Sequence, residues 1–241
     1  TDALEPLGLQ SLTVQPTENH AVLLRYLSSD ENANDQVLEK LKGLDSEVKQ
    51  LRTNFIGGSV SGQIKKNAVA GIILAVIGIA LYIAWAFRRV SAPVTSWEYG
   101  LGAIIALGHD ILVTIGVFAV LGKLYGIEVG VPFIAALLTI LGYSVNDTIV
   151  VYDRIRENLL REHGKTDFEE TVNRSLNQTL GRSVNTSMTV IITLLAITIF
   201  GGESIRYFSL AILVGVTFGT YSSIYVASAL LVTRYKMKLK K

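Results

Sequence analysis

Two carboxylates and an arginine stand where the surrounding residues are apolar enough to lie in a membrane. Asp110, preceded by His109, sits ten residues into the run Gly100 to Leu121. On a helix that places it about 15 Å along the axis, near mid-bilayer. Ala103, Ala106 and Thr114 share its face, small residues that let a second helix approach closely. Asp147, with Asn146 beside it, lies five residues before Tyr152 at the end of the run Val131 to Tyr152, about 7 to 8 Å from that end of the helix. Tyr143, Ser144, Val151 and Arg154 share the face of Asp147, so a polar stripe is expected to climb to the carboxylate, with Arg154 within reach of it. Arg182 enters the next apolar run ahead of Asn185, Thr186 and Ser187, at a depth comparable to Asp147.

Charges at membrane depth cost about 2.5 to 3.5 kcal/mol on insertion scales, so they usually face other helices or water and mark a pathway. A cation near a carboxylate favours its ionised form and burial favours the neutral one, so motion that changes their separation loads and releases a proton. We therefore take Asp147, Arg182, Asp110 and His109 as candidate proton- or ion-coupling residues, supported by Asn146, Ser144 and Arg154. Each also has a plain structural alternative. Asp110 could serve helix packing through a hydrogen bond, Asp147 and Arg154 could pair to anchor a helix end, and Arg182 could snorkel to the interface.

The elements that position these groups follow from hydropathy. Half of the 241 residues are hydrophobic, 17% are charged, and the mean hydropathy is +0.43, which describes a membrane protein. Five runs are long enough to span: Ala68 to Phe87, Gly100 to Leu121, Val131 to Tyr152, Val184 to Phe200 and Tyr207 to Thr233. The fourth is short, so its helix is expected to begin among Leu176 to Arg182. Arg88 and Arg89, then the basic residues between Asp153 and Arg182, then the tail Arg234 to Lys241 fall in alternate connections; the others hold only Lys123 and Arg206. By the positive-inside rule the N-terminal segment is extracytoplasmic and the C-terminal tail 234–241 cytoplasmic. Gly215, Gly219, Ser223 and Ala227, at four-residue spacing on the fifth run, form a small-residue face for helix packing.

Residues 1–60 read as part of a small α+β domain. "SLTVQ" and "HAVLLRYLS" alternate like strands, "NDQVLEKLKGLDSEVKQL" spaces Val37, Leu38, Leu41 and Leu44 as a helix, and "LRTNFIG" resembles a returning strand. So small a fragment buries too little surface to stand alone, and more of the domain is expected upstream. The first residue is Thr1 with no signal pattern after it, as expected of a fragment or a processed product. In the cytoplasmic connection 153–182, His163-Gly164 reads as a helix end and Thr166 with Glu169 as a capping box. Phe168, Val172, Leu176 and Leu180 then suggest an amphipathic helix lying at the inner interface.

There is no cysteine, hence no disulfide or thiolate metal site. Phosphate loops, a Ser-His-Asp order, metal-ligand spacing and internal repeats are absent, and His20, His109 and His163 are scattered. No catalytic residue, metal, cofactor or nucleic-acid partner is expected; the coupling ion is H⁺, with Na⁺ as the alternative.

The blocks "ALGHDILVTIGVFAV", "GYSVNDTIVVYDRIREN", "NRSLNQTLGRSVNTS", "FGG" at Phe200 to Gly202 and "YFSLAILVGVTFGTYSSIYVASAL" resemble the SecD/SecF protein-export family, in its SecF branch, within the resistance-nodulation-division superfamily. The likeness runs from about Asn54 to the C-terminus. It implies a multi-pass α-helical membrane protein: six helices in a full subunit, of which the five after the extracytoplasmic domain are present here and the first is missing. It also implies a SecD partner supplying a matching half with its own intramembrane acid, association with the SecYEG channel, YajC as a further candidate partner, and a lipid bilayer around a plasma-membrane complex. The family's intramembrane Asp falls on Asp147, its basic residue on Arg182 and its His-Asp pair on His109 and Asp110. Where the family has an apolar-Gly-Pro-x-x-Gly hinge, the chain reads Ile56-Gly57-Gly58-Ser59-Val60-Ser61-Gly62, so a looser joint is expected. The implied function is use of the proton motive force to promote preprotein translocation and release. A proton-coupled exporter of small solutes or lipids is the alternative, and a purely structural role in a channel complex is a third.

Overall fold

The computed structural model describes residues 2–16, 21–28, 32–53, 58–88, 93–127, 129–162 and 166–240. The chain divides into two compact units, Thr1–Gly57 and Gly58–Lys241. In the first, a 3-10 turn (Asp2–Leu7) precedes strands β1 (Gln10–Pro16) and β2 (Val22–Leu27) and helix α1 (Ala33–Leu44). The strands pair antiparallel, with Val14 opposite Leu24 and Gln15 opposite Leu23. Leu4, Ala33 and Val37 are buried.

Two expectations for this unit need correction. The helical pattern extends to Leu51, but α1 stops at Leu44 because Asp45 takes an extended conformation and its carboxylate accepts the Glu47 backbone N–H at 2.9 Å. Such a side-chain turn competes with the helix ladder. Leu51 to Thr53 do not form a returning strand; Gln50 bonds Thr53, and Thr53 Oγ1 lies 3.5 Å from Asn34 Oδ1, which ties the stretch to α1. The remainder of that expected strand, Asn54 to Gly57, lies outside the described residues, as do Ile56 and Gly57 of the expected hinge; Gly58 opens the next helix.

The second unit is helical: α2 (Gly58–Ala86), α3 (Ser96–Tyr125), α4 (Val131–Glu162), α5 (Phe168–Phe200), α6 (Glu203–Tyr221), a π-helical segment (Ser222–Ala227) and α7 (Ser228–Leu239). The last three run end to end as one span, and among the described residues five helices are long and apolar enough to cross a membrane. At 30, 32 and 33 residues, α3, α4 and α5 reach about 45 to 50 Å, beyond a hydrocarbon core of about 30 Å. The excess of α4 and α5 lies at the end that also holds Arg88, the start of α3 and Arg234 to Lys238, here termed the basic end.

The expected surface-lying helix before the fourth span is replaced by a continuous α5 that starts at Phe168. The stripe responsible, Phe168 and Val172, is buried against the core rather than in an interface, and the Phe168 ring meets Tyr235 of α7 at 4.7 Å. Polar contacts fix the same extension to α4: Asn158 Nδ2 donates to Ser175 Oγ at 2.8 Å, Thr171 Oγ1 to Glu162 at 2.8 Å, and Arg174 pairs with Glu162. The cap is Asp167, whose carboxylate accepts the Glu169 N–H at 3.1 Å, in place of Thr166. α4 continues to Glu162, and the expected helix end at His163-Gly164 lies outside the described residues, as does His20.

α3 begins with Thr95 N–H donating to Glu98 at 2.7 Å, half of a capping box. Glu98 also accepts Arg234 Nε at 3.3 Å and Lys238 Nζ at 2.7 Å, which ties the start of α3 to the end of α7. Behind this clasp Phe87, Tyr99 and Tyr152 pack ring on ring, Phe87 stacked on Tyr99 at 5.2 Å and Tyr152 edge-on to Tyr99 at 5.1 Å. Towards the opposite end a second apolar cluster joins Phe118, Ala136, Leu194, Ala211, Ile212 and Val216.

Helix α4 and the α6–π span meet along two matching four-residue rows. Gly215 faces Ile140, Gly219 faces Ser144, Ser223 Oγ lies 2.9 Å from Thr148 Oγ1, and Tyr152 donates its hydroxyl to the Ala227 carbonyl at 3.2 Å. Small residues on one row receive larger ones on the other, which brings the two backbones close. A Cβ at Gly215 would overlap the Ile140 side chain. Gly215→Ala should therefore destabilise the unit by about 1 to 3 kcal/mol, the usual cost of overpacking, and Ile140→Val in that background should recover part of it; thermal unfolding in detergent micelles checks both.

Candidate functional site

Asp110 is wholly buried on α3 and has polar partners on both oxygens. Oδ2 accepts Ser144 Oγ of α4 at 2.5 Å and Ser222 Oγ of the π segment at 2.8 Å. Oδ1 lies 3.0 Å from His109 Nδ1. Thr114 Oγ1, one turn on, bonds the Asp110 backbone carbonyl at 2.8 Å. One carboxylate thus joins three spans, and Gly219 leaves room for it: a Cβ there would stand 3.5 Å from Asp110 Oδ2 and 3.1 Å from Ser144 Cβ.

Ser222 opens the π segment. Neighbouring helical residues point about 100° apart, and here the two serines serve different helices, Ser222 facing Asp110 of α3 and Ser223 facing Thr148 of α4, both fully buried. Single-turn π insertions recur at functional sites. Strict four-residue spacing in the sequence picks out Ser223 and misses Ser222, which stands three residues after Gly219 and seven after Gly215 on the adjoining strip of the same helix.

Asp147 has a different environment. Its Oδ1 accepts Ser183 Oγ of α5 at 2.6 Å, whereas Oδ2 is buried with no hydrogen-bond partner among the described residues. The residue as a whole is 7% exposed. Arg182 is exposed and influences Asp147 electrostatically, but no ion pair joins the two among the described residues. Since Ser183 takes the inward position, its neighbour Arg182 is turned to the edge of the helix pair. Asn146 is likewise exposed on α4.

The stripe expected beneath Asp147 is therefore divided. Ser144 belongs to the Asp110 junction. Arg154 turns away from Asp147 and bonds Glu157 at 2.6 Å and Gln178 at 2.7 Å. Tyr143 points its hydroxyl at Ser187 Oγ, 3.5 Å away, and Ser187 Oγ lies 2.5 Å from Thr220 Oγ1. His109 and Asp110 are brought together; the structure separates the Asp110 and Asp147 sites into two junctions on α4.

Helix α5 carries a polar row that apolar spacing does not pick out. Thr171, Ser175, Thr179, Ser183 and Ser187 recur every four residues and all are buried. The apolar row Phe168, Val172, Leu176, Leu180 on the adjacent face gives the stronger periodic signal. The polar signal is nonetheless present in "TVNRSLNQTLGRSVNTS", as hydroxyls at i, i+4 through a span. No group of three or more His, Cys, Asp or Glu suited to a metal occurs among the described residues.

Comparison with known proteins agrees with this architecture. The family model described as protein export membrane protein SecD/SecF, C-terminal, matches residues 36–237. The protein translocase subunit SecF of Thermobaculum terrenum is 50% identical over 232 residues, covering 95% of this chain and 72% of that protein. The protein translocase subunit SecDF of Thermus thermophilus is 43% identical over 197 residues, 81% of this chain and 25% of its own length. A crystal structure of SecDF from Thermus thermophilus, described as a translocon-associated membrane protein, superposes with a TM-score of 0.81 at 36% identity, covering 97% of this chain and 31% of that one. With five spanning helices built around buried carboxylates and a family match over most of its length, this chain belongs to the SecD/SecF family of protein-export membrane proteins.

Proposed function

We propose that this chain is the SecF-type subunit of a SecD–SecF accessory complex, which uses the proton motive force to promote preprotein translocation and release across the plasma membrane. The observation that carries the reading is Asp147: a carboxylate buried within a span, held by Ser183 through one oxygen and open at the other. A group in that state exchanges a proton at small structural cost, whereas Asp110, with polar partners on both oxygens, is a fixed junction. Moving one charge through the membrane field supplies about 2.3 kcal/mol per 100 mV, the drive available for motion.

Exposed polar groups at membrane depth support a partner half. Asn146, Arg182 and Asn185 lie on the outside of the five-helix unit, where lipid would leave them without partners. A SecD-type subunit with its own intramembrane acid fits opposite Arg182. In this reading the basic end is cytoplasmic by the positive-inside rule, residues 1–60 belong to an extracytoplasmic domain, the complex works with the SecYEG channel and YajC, and the coupling ion is H⁺ rather than Na⁺. No chemical catalysis is assigned to the chain.

Asp147→Asn, in the complex with its matching SecD, should abolish the stimulation of preprotein export by a proton gradient in inverted vesicles while the complex is still recovered intact. Full stimulation in that variant would remove Asp147 from the mechanism.

A further inference from the structure

Between α4 and α5 the helices meet along a seam that is polar from the basic end to the middle of the span. The α5 side is the row Thr171, Ser175, Thr179, Ser183 and Ser187, each at most 7% exposed. The α4 side answers with Glu162 to Thr171 at 2.8 Å, Asn158 to Ser175 at 2.8 Å, Asp147 to Ser183 at 2.6 Å and Tyr143 to Ser187 at 3.5 Å. Arg154 and Asn158 both reach Gln178 at its flank. Past Ser187 the character changes. Leu194, Ile212, Val216 and Phe118 close the centre towards the opposite end, with Val190 and Ile191 packed against them.

Within the row, Thr171, Ser175 and Thr179 donate their hydroxyl protons to the carbonyls of Asp167, Thr171 and Ser175 one turn back, and each oxygen keeps lone pairs that can accept a second bond. Helix packing and these bonds do not explain the Asp147 carboxylate oxygen that is buried without a partner among the described residues, beside the Ser183 contact. Successive hydroxyls on the row are separated by one helical turn, about 6 Å along the axis. A single water bonded to both neighbours spans about that distance.

We infer that the α4/α5 seam is the proton path between Asp147 and the basic end, with Thr179 and Ser175 as relay residues and Glu162 with Asn158 at its mouth. This rests on the reading of Asp147 as the proton-exchanging group. In the step, the Asp147 carboxyl gives its proton to a water in the seam and becomes a carboxylate. Each hydroxyl or water accepts one proton and passes on its own, and the net product is one proton delivered to water at the basic end. The apolar cluster beyond Ser187 closes the other side, so this structure is the state in which Asp147 communicates with the basic end alone. The cations along the path are Arg174, paired with Glu162 at its mouth, Arg154 on α4, held by Glu157 and Gln178, and Arg182 on α5.

The test uses the complete complex with its SecD partner in proteoliposomes, reading proton release to the basic-end side after an imposed pH step, and the ratio of export with and without the gradient. Thr179→Val with Ser175→Ala should slow release by about tenfold or more, equivalent to removing one well-placed proton-transfer group, and lower the export ratio with it. Thr179→Ser, which keeps the hydroxyl, should stay near wild type. Asp147→Asn is the control for the underlying reading: if it still releases protons, that reading falls. If Asp147→Asn is silent but the double variant releases at the wild-type rate, or if Thr179→Ser fails as badly as valine, the seam serves packing and the path lies elsewhere.

Discussion

A carboxylate inside a membrane span must find donors from neighbouring helices, and that requirement organises this bundle. Asp110 meets it through Ser144 on α4 and Ser222 on the π segment, with His109 beside it. The other central features follow from holding those donors at bonding distance. Gly219 is bare because a side chain would crowd Ser144 and approach Asp110. The two adjacent serines that open the π segment divide between the neighbours, Ser222 to Asp110 of α3 and Ser223 to Thr148 of α4. Gly215 and Ala227 extend the same close contact along α4, so one polar junction and one row of small residues fix the spacing of α3, α4 and the last span together.

Against that fixed point Asp147 stands out as incompletely satisfied. Both acids lie in apolar surroundings and both accept from serine, yet Asp110 has a polar partner on each oxygen and Asp147 on one among the described residues. Unpaired buried polar atoms are uncommon in native proteins and often belong to redox, catalytic or transport sites. The contrast supports the reading proposed above, in which two residues that the sequence alone presents as alike do different work, Asp110 as a helix junction and Asp147 as the proton-exchanging group.

Much of this architecture is legible in the amino-acid sequence. Apolar runs locate the spans, and a charge within such a run is conspicuous, so Asp110 and Asp147 declare themselves directly. The face of a single helix is legible as well, which is why the Gly215 row stands out. What a sequence does not show is which face of a neighbouring helix comes opposite. Ser144 shares a face with Asp147 on α4 but is turned to Asp110, because α3 and α5 flank α4 on different sides. Arg154 is within reach of Asp147 by length alone, and instead satisfies Glu157 and Gln178, a partner from α5 that the helical wheel of α4 cannot supply. Ser222 is hidden because it stands beside, not on, the four-residue row of small residues, and the hydroxyl row of α5 by a stronger apolar pattern on the adjacent face. In the first unit the end of α1 turns on one Asp side chain, a local competition that apolar spacing does not report.

The division of labour between the two acids is open to direct spectroscopy. Infrared difference spectra of the SecD-paired complex, recorded across a pH step, register a carboxyl group that gains or loses a proton through its C=O stretch. With Asp147 as the exchanging group, a carboxyl band is lost in Asp147→Asn and retained in Asp110→Asn; a band that survives in Asp147→Asn and disappears in Asp110→Asn would overturn that assignment.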